Sequence, residues 1–82
     1  MIDNEKLKNE LIEIYQRYLQ DSVSITCRNK SYEIYSKYST GANILFSKEV
    51  SDAIWSSFDL SEGKLPRKDT ERILEDLQKS TK

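Results

Sequence analysis

The spacing of hydrophobic positions changes twice along the chain. From Asp3 to Gln20, Leu7, Leu11, Ile14, Tyr15, Tyr18 and Leu19 recur three and four residues apart among Glu, Lys, Asn and Gln. That period predicts an amphipathic helix over 3–20. Asp3 is placed to cap it, Ile2 to fold back against Leu7 as a hydrophobic staple, and Glu13 to pair with Arg17 one turn on. Beyond Gln20 the spacing shortens. Val23, Ile25 and Cys27 alternate with Ser24 and Thr26, the two-residue repeat of a strand with one buried face, over 22–28. Arg28-Asn29-Lys30-Ser31 reads as a turn. In 31–38, Tyr32, Ile34 and Tyr38 share one face of a second strand, with Glu33, Tyr35 and Lys37 on the other. Ser39-Thr40-Gly41 turns the chain into a short third strand, 42–46, with Ile44 and Phe46 on one side and Leu45 on the other.

Helical spacing then returns. Val50, Ile54 and Phe58 lie four apart with Trp55 widening the stripe, and Ser47 stands where an N-cap belongs, so 48–58 is expected to be a helix. Asp59 to Lys64 is a loop, and Leu65-Pro66 presets entry into a last helix, 66–79, that buries Ile73, Leu74 and Leu77. Ser80, Thr81 and Lys82 are expected to fray. The order α-β-β-β-α-α defines an α+β fold, one small domain with a three-stranded antiparallel sheet packed on helices.

Composition sharpens this picture. At 82 residues a single core is the limit, and with 37% hydrophobic and 33% charged residues the chain is polar yet too rich in large apolar side chains for disorder. One cysteine, Cys27, cannot form an intramolecular disulfide, which points to a reducing, cytoplasmic setting and to a small core residue. No apolar run approaches the roughly 18 residues of a membrane span, and no signal peptide is visible.

The inventory excludes most chemistry. Without histidine the chain lacks the commonest general base and the commonest metal ligand, and one cysteine cannot complete a zinc site. Gly41 and Gly63 are the only glycines, too few for a phosphate-cradling loop or a dinucleotide fingerprint. Carboxylates such as Glu71, Glu75 and Asp76 sit on the solvated side of a helix. The expectation is a protein that is not an enzyme and uses no cofactor and no metal.

Two features remain for binding. Tyr15, Tyr18, Tyr32, Tyr35, Tyr38 and Trp55 crowd aromatic surface into a short chain; most are expected in the core or at its edge, whereas strand alternation puts Tyr35 outside. A basic run, Lys64, Arg67, Lys68 and Arg72, surrounds the start of the last helix, where anions are favoured. The candidate partner-binding residues are therefore Tyr35, Trp55, Lys64, Arg67 and Lys68.

The α-β-β-β-α-α order resembles that of a small phage-encoded inhibitor of the Cas9 nuclease, in element order alone. The missing catalytic chemistry together with the interface-grade aromatics points to a stoichiometric inhibitor or neutraliser of a larger protein, of the kind phage anti-defence or toxin-immunity proteins provide. The same order over α-β-β-β-α resembles double-stranded-RNA-binding domains, the alternative being a small nucleic-acid-binding regulator. Those domains open their second helix with lysines, whereas here Lys48 is followed by Glu49 and Asp52, and the net charge of −1 gives no general attraction to phosphate. A homodimer through a free sheet edge or an outer apolar patch is a further arrangement open to so small a domain.

Overall fold

A computed structural model describes residues 4–79 and contains five helices and no strand among them. α1 spans Asn4–Gln20, α2 Ile25–Tyr38, α3 Ala42–Leu45, α4 Lys48–Ser61 and α5 Arg67–Lys79. The Asp3 cap, the Ile2 staple and the Ser80–Lys82 tail lie outside the described residues.

The expected α+β fold is thereby corrected to an all-helical bundle. The strand over 22–28, the turn after it and the strand over 31–38 give way to one helix, α2, while 42–46 holds the single helical turn α3 and then Phe46. The physical reason lies in what occupies the inner stripe of α2. Cys27, Ser31, Ile34 and Tyr38 recur at +4, +3 and +4, and the first three are buried with Tyr38 packed partly against them. A serine in the middle of that stripe hides the helical period, and its hydroxyl is satisfied internally by donating to the Cys27 carbonyl, 3.1 Å away. Ser24 starts the helix by accepting the Cys27 backbone N–H at 3.3 Å. Nothing between 22 and 40 is glycine or proline, so no residue there favours the positive φ that a tight hairpin turn demands.

The four long helices form a ring. α2 packs most extensively on α4 and α1 on α5, with α1 against α2 and α4 against α5 closing the ring, and α1 also meets α4 across the middle. α1 and α5 run antiparallel: the Tyr18 hydroxyl near the end of α1 donates to the Leu65 carbonyl just before α5, at 3.2 Å. One continuous core, including Leu7, Leu11, Ile14, Val50, Ile54, Leu60, Ile73 and Leu77, fills the interior. Each fully buried Leu or Ile contributes roughly 1.5–3 kcal/mol through removal from water. Tyr15 crosses this core, with no exposed surface, and its hydroxyl donates to the Ala53 carbonyl at 2.7 Å. Burial, helped by the nearby Asp59 charge, pushes its phenol far above the usual tyrosine range, so Tyr15 is held neutral. Among the described residues no buried side-chain nitrogen or oxygen lacks a hydrogen-bond partner.

The exit from α4 fixes the position of α2. Gly63 adopts a left-handed φ of 73°, its N–H bonds the Leu60 carbonyl at 3.0 Å, and the Lys64 N–H bonds the Asp59 carbonyl at 2.9 Å, the pattern of a glycine-terminated helix. Arg28 of α2 reaches over this end and donates Nε–H to the Ser61 carbonyl at 3.0 Å. A cation there also suits the negative end of the helix dipole.

Candidate docking face

The outer side of the α2–α4 layer carries the largest concentration of exposed aromatic surface. Tyr35, half-buried, stands between two rings of α4: its centroid lies 5.9 Å from that of Trp55, nearly edge-on at 72°, and 5.0 Å from that of Phe58 at 45°. Such pairings stabilise by about 0.5–1.5 kcal/mol beyond the area they bury, and they hold the rings in fixed orientation. One turn before Tyr35, Tyr32 keeps 55% of its surface in water, and Trp55 and Phe58 keep 45% and 37%. Ile25, seven residues before Tyr32 and so two turns away on the same side, extends the apolar stripe to the start of α2 and is also exposed.

Beside these rings runs an open groove of about 880 Å³, lined by Arg28, Tyr32, Ser36 and Lys37 from α2 and by Ser61 and Glu62 at the end of α4. Tyr32 supplies its aromatic surface, and Arg28, Lys37, Glu33 and Glu62 give it both signs of charge.

Of the five residues singled out from sequence, the structure joins two. Tyr35 and Trp55 are in ring contact on this face. Lys64, Arg67 and Lys68 lie elsewhere, on the α4–α5 connection and the first turn of α5, all exposed. Lys64 pairs with Glu62 at 3.7 Å and Arg67 with Glu71 at 3.3 Å, so much of the basic run is balanced locally. Arg72 pairs likewise with Asp76 at 3.7 Å. Tyr32, Trp55 and Phe58, expected in the core or at its edge, all keep more than a third of their surface in water on this face. On a helix, Arg28, Tyr32 and Tyr35 fall at +4 and +3 and Trp55 and Phe58 at +3; the signal is present in the sequence and legible only in helical register.

Cys27 is buried, its Sγ donates to the Ile14 carbonyl at 3.2 Å, and burial pushes the thiol up, which disfavours the nucleophilic thiolate. No group of three or more Cys, Asp or Glu side chains among the described residues is arranged to hold a metal ion. Nor is any described helix long and apolar enough to cross a membrane.

A small antiparallel helical bundle with one exposed aromatic face is what fold and site together define. No protein-family model, no curated protein and no solved structure matches the chain. Its likeness to the Cas9 inhibitor and to double-stranded-RNA-binding domains depends on three strands that the structure replaces with helix.

Proposed function

We propose that this chain is a non-enzymatic protein-binding module that works stoichiometrically, inhibiting or neutralising a larger protein by occupying it through the outer face of α2 and α4. The observation that carries this reading is Tyr35 locked between Trp55 and Phe58 with Tyr32 exposed beside it. Pre-oriented aromatic rings bury large area on binding with little loss of side-chain freedom, which is why they dominate interface energetics. A chain without histidine and with one buried cysteine is poorly equipped for general-base or nucleophilic catalysis, which supports a binding role over an enzymatic one. The reduced, buried thiol suits a cytoplasmic protein.

The test is affinity capture of tagged chain from host lysate, with and without nuclease, comparing wild type with Trp55→Ser and with a Lys64→Ser, Arg67→Ser, Lys68→Ser triple variant. One dominant protein that survives nuclease, is lost with Trp55→Ser and is kept by the triple variant is the expected result. Recovery of nucleoproteins that disappear with nuclease and with the triple variant would replace this reading with nucleic-acid binding.

A further inference from the structure

The α2–α4 face is complementary to itself. Beside the groove α2 carries Arg28 and Lys37 against Glu33, a net +1, with Lys30 lying instead beside Glu10 and Glu13 of α1, whereas α4 carries Lys48 against Glu49, Asp52 and Asp59, a net −2. The two helices run antiparallel, and their contacts set which residues stand level: Arg28 bonds Ser61, and Tyr35 touches Trp55 and Phe58. Counting along both helices from these contacts at 1.5 Å per residue, Arg28 comes level with Glu62 and Tyr32 with Asp59. A two-fold axis parallel to the helices, placed on this face, lays α2 of one copy over α4 of the other without changing those heights. Arg28 then stands level with Glu62 of the other copy and Tyr32 with its Asp59, and the Tyr35–Trp55–Phe58 clusters of both copies come to the same height. Each of these pairs is apolar against apolar, opposite in charge, or a donor against a carboxylate.

We propose that the occupant of this face in the isolated protein is a second copy of the chain, packed as an antiparallel α2–α4 layer on its symmetry mate. The inference rests on the α2–α4 face being a protein-binding surface, and it adds that self-association and a larger partner compete for it. Size sets the strength. The exposed parts of Tyr32, Trp55 and Phe58 offer roughly 300 Å² of aromatic surface, well short of the roughly 800 Å² per partner of a standard stable interface. The dimer is therefore weak and releases its face to any partner that binds in the nanomolar range.

Sedimentation equilibrium of the full chain from about 1 μM to 1 mM tests this directly. The expected result is a monomer–dimer equilibrium that weakens as salt is raised. Tyr32→Glu sets a carboxylate against Asp59 twice per dimer and is expected to weaken association at least about tenfold, while Asp59→Lys replaces that carboxylate with an ammonium. When the two variants are mixed, the carboxylate introduced in one chain faces the ammonium introduced in the other, and the second Tyr32–Asp59 pair stays native. The mixture is therefore expected to recover a heterodimer near wild-type strength, whereas Tyr32→Glu alone stays at least about tenfold weaker. Both substituted positions are exposed, and circular dichroism checks that the helices persist. A wild type monomeric at 1 mM, a Tyr32→Glu variant that dimerises like wild type, or a mixture that shows no recovery would each overturn the proposal. A monomer that still captures a partner lost with Trp55→Ser sinks the dimer and leaves the functional reading standing; a dimer with the expected mixing behaviour and nothing captured does the reverse.

Discussion

α5 and α2 have nearly the same length, 13 and 14 residues, and present opposite solutions to facing water. α5 buries Thr70, Ile73, Leu74 and Leu77 on one side and dresses the other with ion pairs one turn apart: Arg67 with Glu71, Arg72 with Asp76, and Glu75 with Lys79. α2 buries a narrow strip of Cys27, Ser31 and Ile34 and turns Ile25 and Tyr32 outward. Solvation alone explains the outside of α5. It does not explain α2, where large apolar groups remain in water after the core is complete. The difference separates residues that specify the fold from residues the core does not use.

The largest effects belong on the core side of this comparison. Ile54, fully buried in α4 next to Trp55, is expected to lose about 3 kcal/mol of stability on substitution by alanine, because transfer and cavity terms add. Chemical denaturation at a few micromolar protein, where a weak dimer is dissociated, measures it. A loss under about 1 kcal/mol would mean that the α2–α4 layer is not built on this core.

Tyr15 sets the next scale, through pH. Its folded-state phenol is raised above the unfolded value near pH 10, so its contribution is intact below that value. Above it, the unfolded chain releases a proton that the folded chain keeps, and stability falls by about 1.4 kcal/mol per pH unit. Tyr15→Phe is expected to shallow this alkaline decline while lowering stability at neutral pH by about 1 kcal/mol, since the Ala53 carbonyl loses its donor. Denaturation midpoints at about pH 8, 10 and 11 for both proteins provide the check; parallel pH profiles would show that Tyr15 is not held neutral.

How much of this is legible in the sequence follows the same division. α1 and α5 concentrate their apolar residues on one stripe, and α4 keeps a buried stripe of Val50, Ile54 and Leu60 beside its exposed Trp55 and Phe58, so in all three the periodicity announces helix directly. α2 distributes apolar residues around its circumference because one side faces the core and another is exposed, so a serine inside and tyrosines outside imitate a two-residue repeat. The feature that obscures the fold is the one that marks the candidate site. Strand alternation places Tyr35 on an outer face and the helix also leaves it at the surface, whereas Tyr32 changes sides with the register. The basic run at Lys64, Arg67 and Lys68 is visible as composition, but its partners Glu62 and Glu71 become apparent only once the turn and the helix are formed.

Gly63 ties the two sides together. With φ at 73° and the Arg28 guanidinium carbon 3.4 Å from where a Cβ would stand, Gly63→Ala is expected to lose about 1 kcal/mol, most of it from the left-handed backbone. If Arg28 is pushed from the Ser61 carbonyl, the rim of the groove shifts too, so the same variant should weaken self-association. Unchanged stability together with unchanged association would show that Arg28 does not position this end of the face.

The smallest stability effects are the most discriminating. Arg67→Ala breaks one exposed pair of α5 and is expected to shift stability by only about 0.3 kcal/mol, since solvent screens the charges. Tyr32→Ser removes a ring that is mostly in water, and its stability is expected to stay within about 0.5 kcal/mol of wild type. By folding measurements the two variants should be indistinguishable. They should part in binding, with Arg67→Ala retaining self-association and partner capture and Tyr32→Ser losing both, because only Tyr32 holds apolar area that the monomer leaves in water. A Tyr32→Ser variant destabilised by about 2 kcal/mol would instead assign that ring to the fold, and the contrast between α2 and α5 would then be one of packing alone.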